Sequence, residues 1–229
     1  MPYEYQFRRE LCWYIQVCNK ARTDECYPGC IRYMEMDYLM QTSGIPRNKQ
    51  YAIKLTPSVE DVHSFEFLQS IKEDIVNFVR NGESLYLYSE NFGNGKTSWA
   101  LKLLQKYFDE VWCGNGFKSR GVFIHVPTFL TKIREGISKK DVEFEELKER
   151  LLYVDLVVWD DIAATRLTDF DHSNLLTYID TRKLKGLSNI YTGNLNEQQM
   201  VEALGNRLKS RVWNDSVIVQ LLGEDRRGT

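Results

Sequence analysis

Short apolar runs and helical apolar patterns alternate along most of this chain. Five of the runs are predicted to be buried strands, at residues 85–88, 122–126, 156–159, 189–192 and 217–221. Apolar residues at three- and four-residue spacing predict helices at residues 97–108, 127–135, 144–153, 170–184 and 197–213, the last with a break at Gly205. Strands that alternate with helices indicate an α/β fold, in which a parallel sheet is covered on both faces.

Two further helices are predicted ahead of the first strand. One lies in the apolar and aromatic stretch at residues 31–40, and the other starts near Pro57, with Ser58 as its cap and Gly82 as its stop. Turn-forming residues without periodicity separate the two. We therefore predict three parts: a small N-terminal module at residues 1–40, a linker at 41–56 and a main domain at 57–229.

The N-terminal module contains four of the five cysteines, in a C-x5-C-x7-C-x3-C pattern: Cys12, Cys18, Cys26 and Cys30. Four thiolates around one tetrahedral Zn²⁺ would stabilise a segment that is too short to form its own core. A turn at Pro28 would bring the last two cysteines to one ion. The alternative is that the four thiols are unligated and partly buried.

Composition narrows the possible functions without choosing one. The chain has 229 residues, 43% of them hydrophobic, which is too many for a disordered protein. Its 30 basic and 32 acidic side chains leave a formal charge of −2, so any contact with nucleic acid depends on a local patch. No apolar stretch approaches the ~18 residues of a membrane span, and the N-terminus lacks a signal-peptide core. We therefore expect a cytoplasmic protein without a membrane partner.

A phosphate-binding loop is predicted between the first strand and the helix that follows it. This Gly-containing loop leads into the helix through Gly93, Asn94, Gly95, Lys96 and Thr97. Backbone N–H groups of such a loop converge on a polyphosphate, the lysine reaches the β/γ oxygens, and the threonine hydroxyl ligates Mg²⁺. The loop departs from the usual pattern at its first position, where Glu90 replaces glycine. This carboxylate would crowd the phosphates unless it points to solvent.

The third predicted strand ends in two acids, Asp160 and Asp161, which match the second signature of a phosphate site. Asp160 is predicted to hold Mg²⁺, and Asp161 to polarise the attacking water. Asp161 is shorter than the glutamate that many ATPases carry at this position. The alternative is that both acids only cap the strand at a turn.

Two later segments supply candidate residues for the γ-phosphate. Asn194 follows the fourth strand, where a polar side chain can orient water, although an ordinary turn asparagine also fits. Arg207 and Arg211 share one helix face, too far along the chain to reach their own phosphates easily, which suits delivery to a neighbouring subunit's nucleotide. A solvated basic helix face is the alternative.

Together these motifs resemble the AAA+ family, specifically the DnaC/DnaI/IstB-type ATPases that load the bacterial replicative helicase or assist transposition. The resemblance covers about residues 57–227 and rests on residues 93–97, 157–161, 192–194 and 206–211. The last group is also similar to the arginine-finger motif of the related initiator DnaA. Residues 222–227 resemble the C-terminal motif of IstB-like members, and this match implies that Arg227 is a second sensor of the γ-phosphate.

The resemblance implies a five-stranded sheet in the order 5-1-4-3-2, without a separate helical lid. It also implies an ATPase that binds ATP or ADP with Mg²⁺ at subunit interfaces, where Arg211 of one subunit completes the site of the next. Such an oligomer would grip single-stranded DNA and a hexameric, DnaB-type helicase, with residues 1–40 as the helicase-binding module. The compact size resembles that of loaders encoded by phages or prophages.

The family contacts DNA through the helices between the second and third strands. This stretch contains one aromatic and several basic residues: Phe129, Lys132, Arg134, Lys139 and Lys140. Acidic residues in the same stretch leave a solvated surface as the alternative. Two other functions also stay open: an IstB-like transposition helper, and a catalytically weak protein that binds a replication factor, which Glu90 and Asp161 would fit.

Overall fold

The computed structural model describes residues 3–21, 23–50, 53, 55–136, 141–164 and 167–224. Its centre is a parallel sheet of five strands: β1 (Ser84–Tyr88), β2 (Gly121–His125), β3 (Leu156–Asp160), β4 (Ser188–Gly193) and β5 (Val217–Gln220). The strands lie in the order β2-β3-β4-β1-β5, which is the expected order 5-1-4-3-2 counted from the other edge. All five predicted strands are therefore confirmed.

Eight α-helices occur in the described residues: α1 (Ile31–Thr42), α2 (Val62–Glu73), α3 (Ile75–Arg80), α4 (Lys96–Val111), α5 (Val126–Gly136), α6 (Val142–Leu151), α7 (Asp169–Leu184) and α8 (Glu197–Lys209). None of them has both the length and the apolar composition needed to cross a membrane. The predicted break at Gly205 is confirmed, because this residue has φ 68° and ψ 164° inside α8. A π-helical turn (Ser210–Asn214) follows α8.

The predicted helix start near Pro57, with Ser58 as the cap, is wrong. Helix α2 begins at Val62, and the preceding Asp61 makes no side-chain cap. Its carboxylate instead accepts hydrogen bonds from the backbone N–H groups of Leu222, at 2.6 Å, and Gly223, at 3.0 Å. The chain after β5 thus occupies the carboxylate that immediately precedes α2.

The sheet separates two hydrophobic cores, because alternate residues of a strand point to opposite faces. Leu85 and Leu87 of β1 lie in one core with the apolar face of α4, whereas Tyr86 lies in the other. The second core is closed by α5, α7 and α8. Both faces of the sheet are covered, as the alternation of strands and helices predicts.

The N-terminal segment packs on the core that contains α4. Tyr14, Leu39 and Met40 are each at most 5% exposed, and they belong to the same apolar cluster as Leu85 and Phe108. Residues on both sides of the predicted linker therefore share one core. The division at residues 1–40, 41–56 and 57–229 stays a prediction.

Candidate functional site: a phosphate-binding loop at the carboxyl edge of the sheet

Strand β1 leads into a loop that turns directly into α4. Gly93 and Gly95 have φ 70° and 102°, in the left-handed region that favours glycine. Gly95 immediately precedes α4 and has no side chain to cap it, so the first N–H groups of the helix are left to other acceptors. A glycine-rich turn at the N-terminus of a 16-residue helix is an arrangement suited to an anion.

Lys96 lies inside this loop with only 7% of its surface exposed. Its Nζ donates to the backbone oxygen of Asn91 at 2.9 Å and to Oδ1 of Asn94 at 3.3 Å. The buried Asn94 in turn donates from Nδ2 to the backbone oxygen of Leu221 at 3.1 Å. The loop therefore holds the ammonium group where a lysine reaches the β/γ oxygens of a nucleotide.

The two predicted magnesium ligands, Thr97 and Asp160, are in contact. Thr97 Oγ1 donates to Asp160 Oδ1 at 2.7 Å, and Thr192 Oγ1 donates to the same oxygen at 2.8 Å. Asp160 is 4% exposed, and this burial raises its pKa although both hydroxyl donors oppose the effect. Mg²⁺ prefers oxygen ligands and neutralises a desolvated carboxylate, so these two side chains fit the ion.

Asp161 follows Asp160 with a strained backbone. Its φ of 57° is uncommon for a residue other than glycine, and its N–H donates to Thr192 Oγ1 at 3.0 Å. Its Oδ2 lies 3.7 Å from Nε2 of His125, the last residue of β2. In the described part of the chain, His125, Asp160 and Asp161 form the one group of three metal-ligand side chains that converges.

Sequence reasoning missed His125, because no motif marks it. The only available signal is its position at the end of the strand that pairs with β3, where His125 is the register partner of Asp160. Carboxyl ends of neighbouring parallel strands meet at one edge of the sheet, and this edge is where ligands bind in open α/β folds.

Asn194 lies just beyond β4 at the same edge of the sheet. Its Oδ1 is buried and has no hydrogen-bond partner among the described residues. Buried acceptors in native proteins are nearly always paired, so an unpaired one at this edge favours a missing water or ligand. The role of Asn194 as a sensor stays a prediction that this geometry favours.

Glu90 is exposed and turns away from the loop interior. Its Oε1 accepts a hydrogen bond at 3.3 Å from Nδ2 of Asn196, the residue that caps α8. Because the Glu90 carboxylate points to the surface, it does not crowd the space where phosphates would bind.

A cavity of about 300 Å³ opens beside the phosphate-binding loop. Its lining includes apolar side chains and loop backbone, among them Pro57, Phe65, Gly95, Trp99 and Leu221. A pocket that combines apolar side chains such as Phe65 and Trp99 with polar groups such as Asp61 and Ser98 suits a flat heterocycle such as a nucleobase. Sequence reasoning missed this pocket because its walls come from three distant segments, around the start of α2, around the start of α4 and just after β5.

Arg207 and Arg211 line a different cleft, of about 240 Å³, together with Asp180, and no residue of the phosphate-binding loop lines it. Arg207 is exposed. Arg211 Nε donates to Asp180 Oδ1, and its Nη1 lies 3.7 Å from Asp215. Arg227, the predicted second sensor, lies outside the described residues.

The predicted DNA-contacting patch is only partly available. Phe129 cannot stack on a base, because it is 3% exposed and belongs to the second core. Arg134 forms a two-point ion pair with the fully buried Asp171. Lys132 is exposed, whereas Lys139 and Lys140 lie outside the described residues. The expectation of an aromatic contact through Phe129 is therefore wrong.

The four N-terminal cysteines are all partly buried and free. Burial raises the pKa of the Cys12 thiol. The expected turn before the last cysteine is present, since the N–H of Cys30 donates to the backbone oxygen of Tyr27 at 3.2 Å. In the described part of the chain, however, no three cysteine sulfurs converge as metal ligands. The zinc site of Cys12, Cys18, Cys26 and Cys30 stays a prediction.

The sheet order, the loop before α4 and the acids at the end of β3 agree with the AAA+ fold that the sequence resembles. No protein-family profile and no curated protein match the chain. Among solved structures, it is similar to the DnaC helicase loader, with a TM-score of 0.61 and 18% identity over 73% of this chain and 93% of that chain. It is also similar to DnaI, with a TM-score of 0.62 and 17% identity over 82% of this chain and 99% of that one.

Two further structures bear on the fold. A putative primosome component from Streptococcus pyogenes serotype M3 matches with a TM-score of 0.60 and 22% identity, over 83% of this chain and 98% of that one. The replication initiator DnaA, bound to AMPPCP and single-stranded DNA, matches with a TM-score of 0.59 and 16% identity over 73% of this chain, which spans 48% of the DnaA chain. The chain therefore has the fold of the DnaC and DnaI structures.

Proposed function

We propose that this protein is an ATP-dependent loader of a hexameric, DnaB-type replicative helicase. The observation that carries the proposal is the hydrogen bond between Thr97 of α4 and Asp160 of β3, beside the buried Lys96, in a fold shared with DnaC and DnaI. This contact joins the two side chains that are predicted to hold Mg²⁺, which an acid that only caps a strand would not need.

In the proposed reaction, the loop amides and Lys96 bind the phosphates, and Thr97 and Asp160 hold Mg²⁺. The ion supplies the positive charge that offsets the phosphate charge during transfer. Asp161 polarises the attacking water, and the free Oδ1 of Asn194 orients it. The adenine base occupies the cavity beside Trp99.

Arg211 completes the nucleotide site of a neighbouring subunit, so ATP favours an oligomer that grips single-stranded DNA. The described basic residues between β2 and β3 offer a weak DNA patch, because Arg134 is already paired with Asp171. Recruitment to DNA therefore depends chiefly on a protein partner, in keeping with the overall charge of −2.

The N-terminal segment is the proposed helicase-contacting surface. Val17, Tyr27 and Ile31 are 75%, 58% and 65% exposed, which is unusual for large apolar side chains close together in sequence. We infer that Zn²⁺ bound by the four cysteines stabilises this surface. Metal analysis of the full chain tests the zinc site: about one zinc per chain, lost in Cys12→Ser and retained in Cys113→Ser, is expected. Substoichiometric metal with four reactive thiols contradicts it.

ATP turnover and helicase binding test the main proposal together. Lys96→Ala is expected to lower turnover by about 100-fold. Lys106→Ala, which removes a partly buried lysine from the same helix, away from the loop, is expected to leave turnover unchanged. Absence of turnover in the wild type, with no nucleotide-dependent assembly, would instead favour a protein that only binds a replication factor.

Helicase binding is measured with the triple variant Val17→Asp, Tyr27→Asp, Ile31→Asp. Surface substitution is preferred to deletion of residues 1–40, because Tyr14 and α1 are part of the core. We expect a complex of the wild type with a hexameric helicase and its loss in the triple variant, with circular dichroism and ATP turnover unchanged. A wild type that binds no such helicase rules out the loader.

A further inference from the structure

Arg211 is held by carboxylates of its own chain. Its Nε donates to Asp180 Oδ1, and its Nη1 lies 3.7 Å from Asp215 Oδ2. Both contacts are at the surface, with 37% of the Arg211 side chain and 28% of the Asp180 side chain exposed. Asp180 lies on α7 and Arg211 on the π-helical turn after α8, so tertiary packing brings the pair together.

The charges around this pair cancel. Asp215 also pairs with Lys183 of α7, so the network contains two acids and two bases: Asp180, Asp215, Lys183 and Arg211. A guanidinium group with two nearby carboxylates exerts little net attraction on a distant phosphate. Arg211 must therefore leave at least one of them before it can act on another molecule.

The surroundings leave room for such an exchange. Arg211 and Asp180 line the same open cleft as Asn206, Arg207 and Ser210. Arg207 has no ion pair among the described residues, so an anion that enters the cleft meets a second cation. A salt bridge between half-exposed side chains contributes little stability, so it can be broken at small cost.

We propose that Asp180 is an intramolecular competitor for Arg211: it holds the guanidinium group in the isolated subunit and gives it up to the nucleotide phosphate of a neighbouring subunit. The inference rests on the proposed function of Arg211. Asp180 then sets the protein concentration at which subunits begin to stimulate one another, and keeps isolated subunits from forming incorrect contacts with phosphates.

The test is ATP turnover per subunit as a function of protein concentration. Asp180→Asn keeps the shape of the side chain and removes its charge, and is expected to lower the half-maximal concentration by about threefold. Asp169→Asn makes the same change at an exposed position of the same helix and is expected to leave it unchanged. The double variant Asp180→Asn, Arg211→Ala is expected to behave as Arg211→Ala alone.

The outcomes separate the inference from the proposed function. If Arg211→Ala retains the concentration dependence of the wild type, the proposed action of Arg211 between subunits is wrong. If Arg211→Ala abolishes that dependence but Asp180→Asn leaves the half-maximal concentration unchanged or raises it, only the inference about Asp180 is overturned. A rise would mean that Asp180 positions Arg211 for its task and does not compete for it.

Discussion

Buried charged side chains at the two ends of the sheet differ in how completely their neighbours compensate the charge. At the amino ends of the strands, the fully buried Arg182 donates to Oδ1 of Asn189 at 2.7 Å and to the backbone oxygens of Leu151, Val154 and Ser188 at 2.8, 2.9 and 2.6 Å. At the carboxyl ends, in the part of the chain that the structure describes, Asp160 has two hydroxyl donors and no ion pair, and Asn194 Oδ1 has no hydrogen-bond partner.

The difference separates architecture from function. Burial lowers the pKa of Arg182 to about 10, so the group stays charged at neutral pH and its hydrogen bonds tie α7 to the starts of β3 and β4. Burial raises the pKa of Asp160, so its charged form is poorly compensated until a cation binds. A buried charge whose partners are complete indicates structure, whereas incomplete compensation at a ligand-binding edge indicates a site.

The strongest test of this comparison is Arg182→Met. The apolar side chain leaves three buried backbone oxygens without their donor, and we expect a loss of about 4 kcal/mol in the free energy of unfolding. Urea denaturation measures it, with Arg80→Met at an exposed position as the control. A loss no larger than that of the control would mean that the buried arginine is not structural.

Asp160→Asn is expected to show the opposite pattern. Removal of the charge should lower ATP turnover by about 100-fold, or about 2.7 kcal/mol in the barrier, because Mg²⁺ loses a ligand. Stability should rise at neutral pH. Because the pKa of Asp160 is raised in the folded state, its ionisation destabilises the fold at any pH above the ordinary pKa of an aspartate. Asparagine removes this penalty, and its side-chain oxygen still accepts from Thr97 and Thr192.

Thermal unfolding with and without Mg²⁺ checks the stability effect. Without the ion, the variant should melt above the wild type, and added Mg²⁺ with ATP should narrow the gap by stabilising only the wild type. If the variant melts at a lower temperature than the wild type without Mg²⁺, the charge of Asp160 stabilises the fold, as that of Arg182 does, and the comparison is wrong.

Sequence spacing predicts candidate site residues wherever they are close together in the chain. Lys96 and Thr97 follow β1 after a short loop, and the acids at 160 and 161 come at the end of a strand, so spacing alone marks them as candidates. His125 and the base-sized cavity required the sheet order, because their partners come from other strands and from the chain after β5. The role of Asp61 also required the fold, since its hydrogen-bond partners lie about 160 residues away in the chain.

Asp171 provides an intermediate case, a buried acid whose partners are complete. Arg134 and Thr168 both donate to it, and the arginine holds its pKa at about 2. Asp171→Asn is expected to cost about 2 kcal/mol of unfolding free energy at pH 7, with turnover unchanged. Because the pKa of Asp171 is lowered, its ionised carboxylate stabilises the fold at pH values above about 4, the ordinary pKa of an aspartate. This stabilisation is lost as the pH falls toward 2. The gap between variant and wild type in urea denaturation should therefore shrink in acid, and a constant gap would contradict the ion pair.

The smallest expected effect is that of Asn194→Ala. An amide that orients water contributes about 1 kcal/mol to the barrier, so turnover should fall by about fivefold with little change in KM for ATP. Because Oδ1 has no protein partner in the described residues, its removal should leave the melting temperature unchanged or slightly higher. Asn196→Ala is the contrasting change, since Asn196 caps α8 and its loss should lower stability by about 1 kcal/mol. If Asn194→Ala instead destabilised the fold and left turnover unchanged, the unpaired Oδ1 of Asn194 would not indicate a functional site at this edge of the sheet.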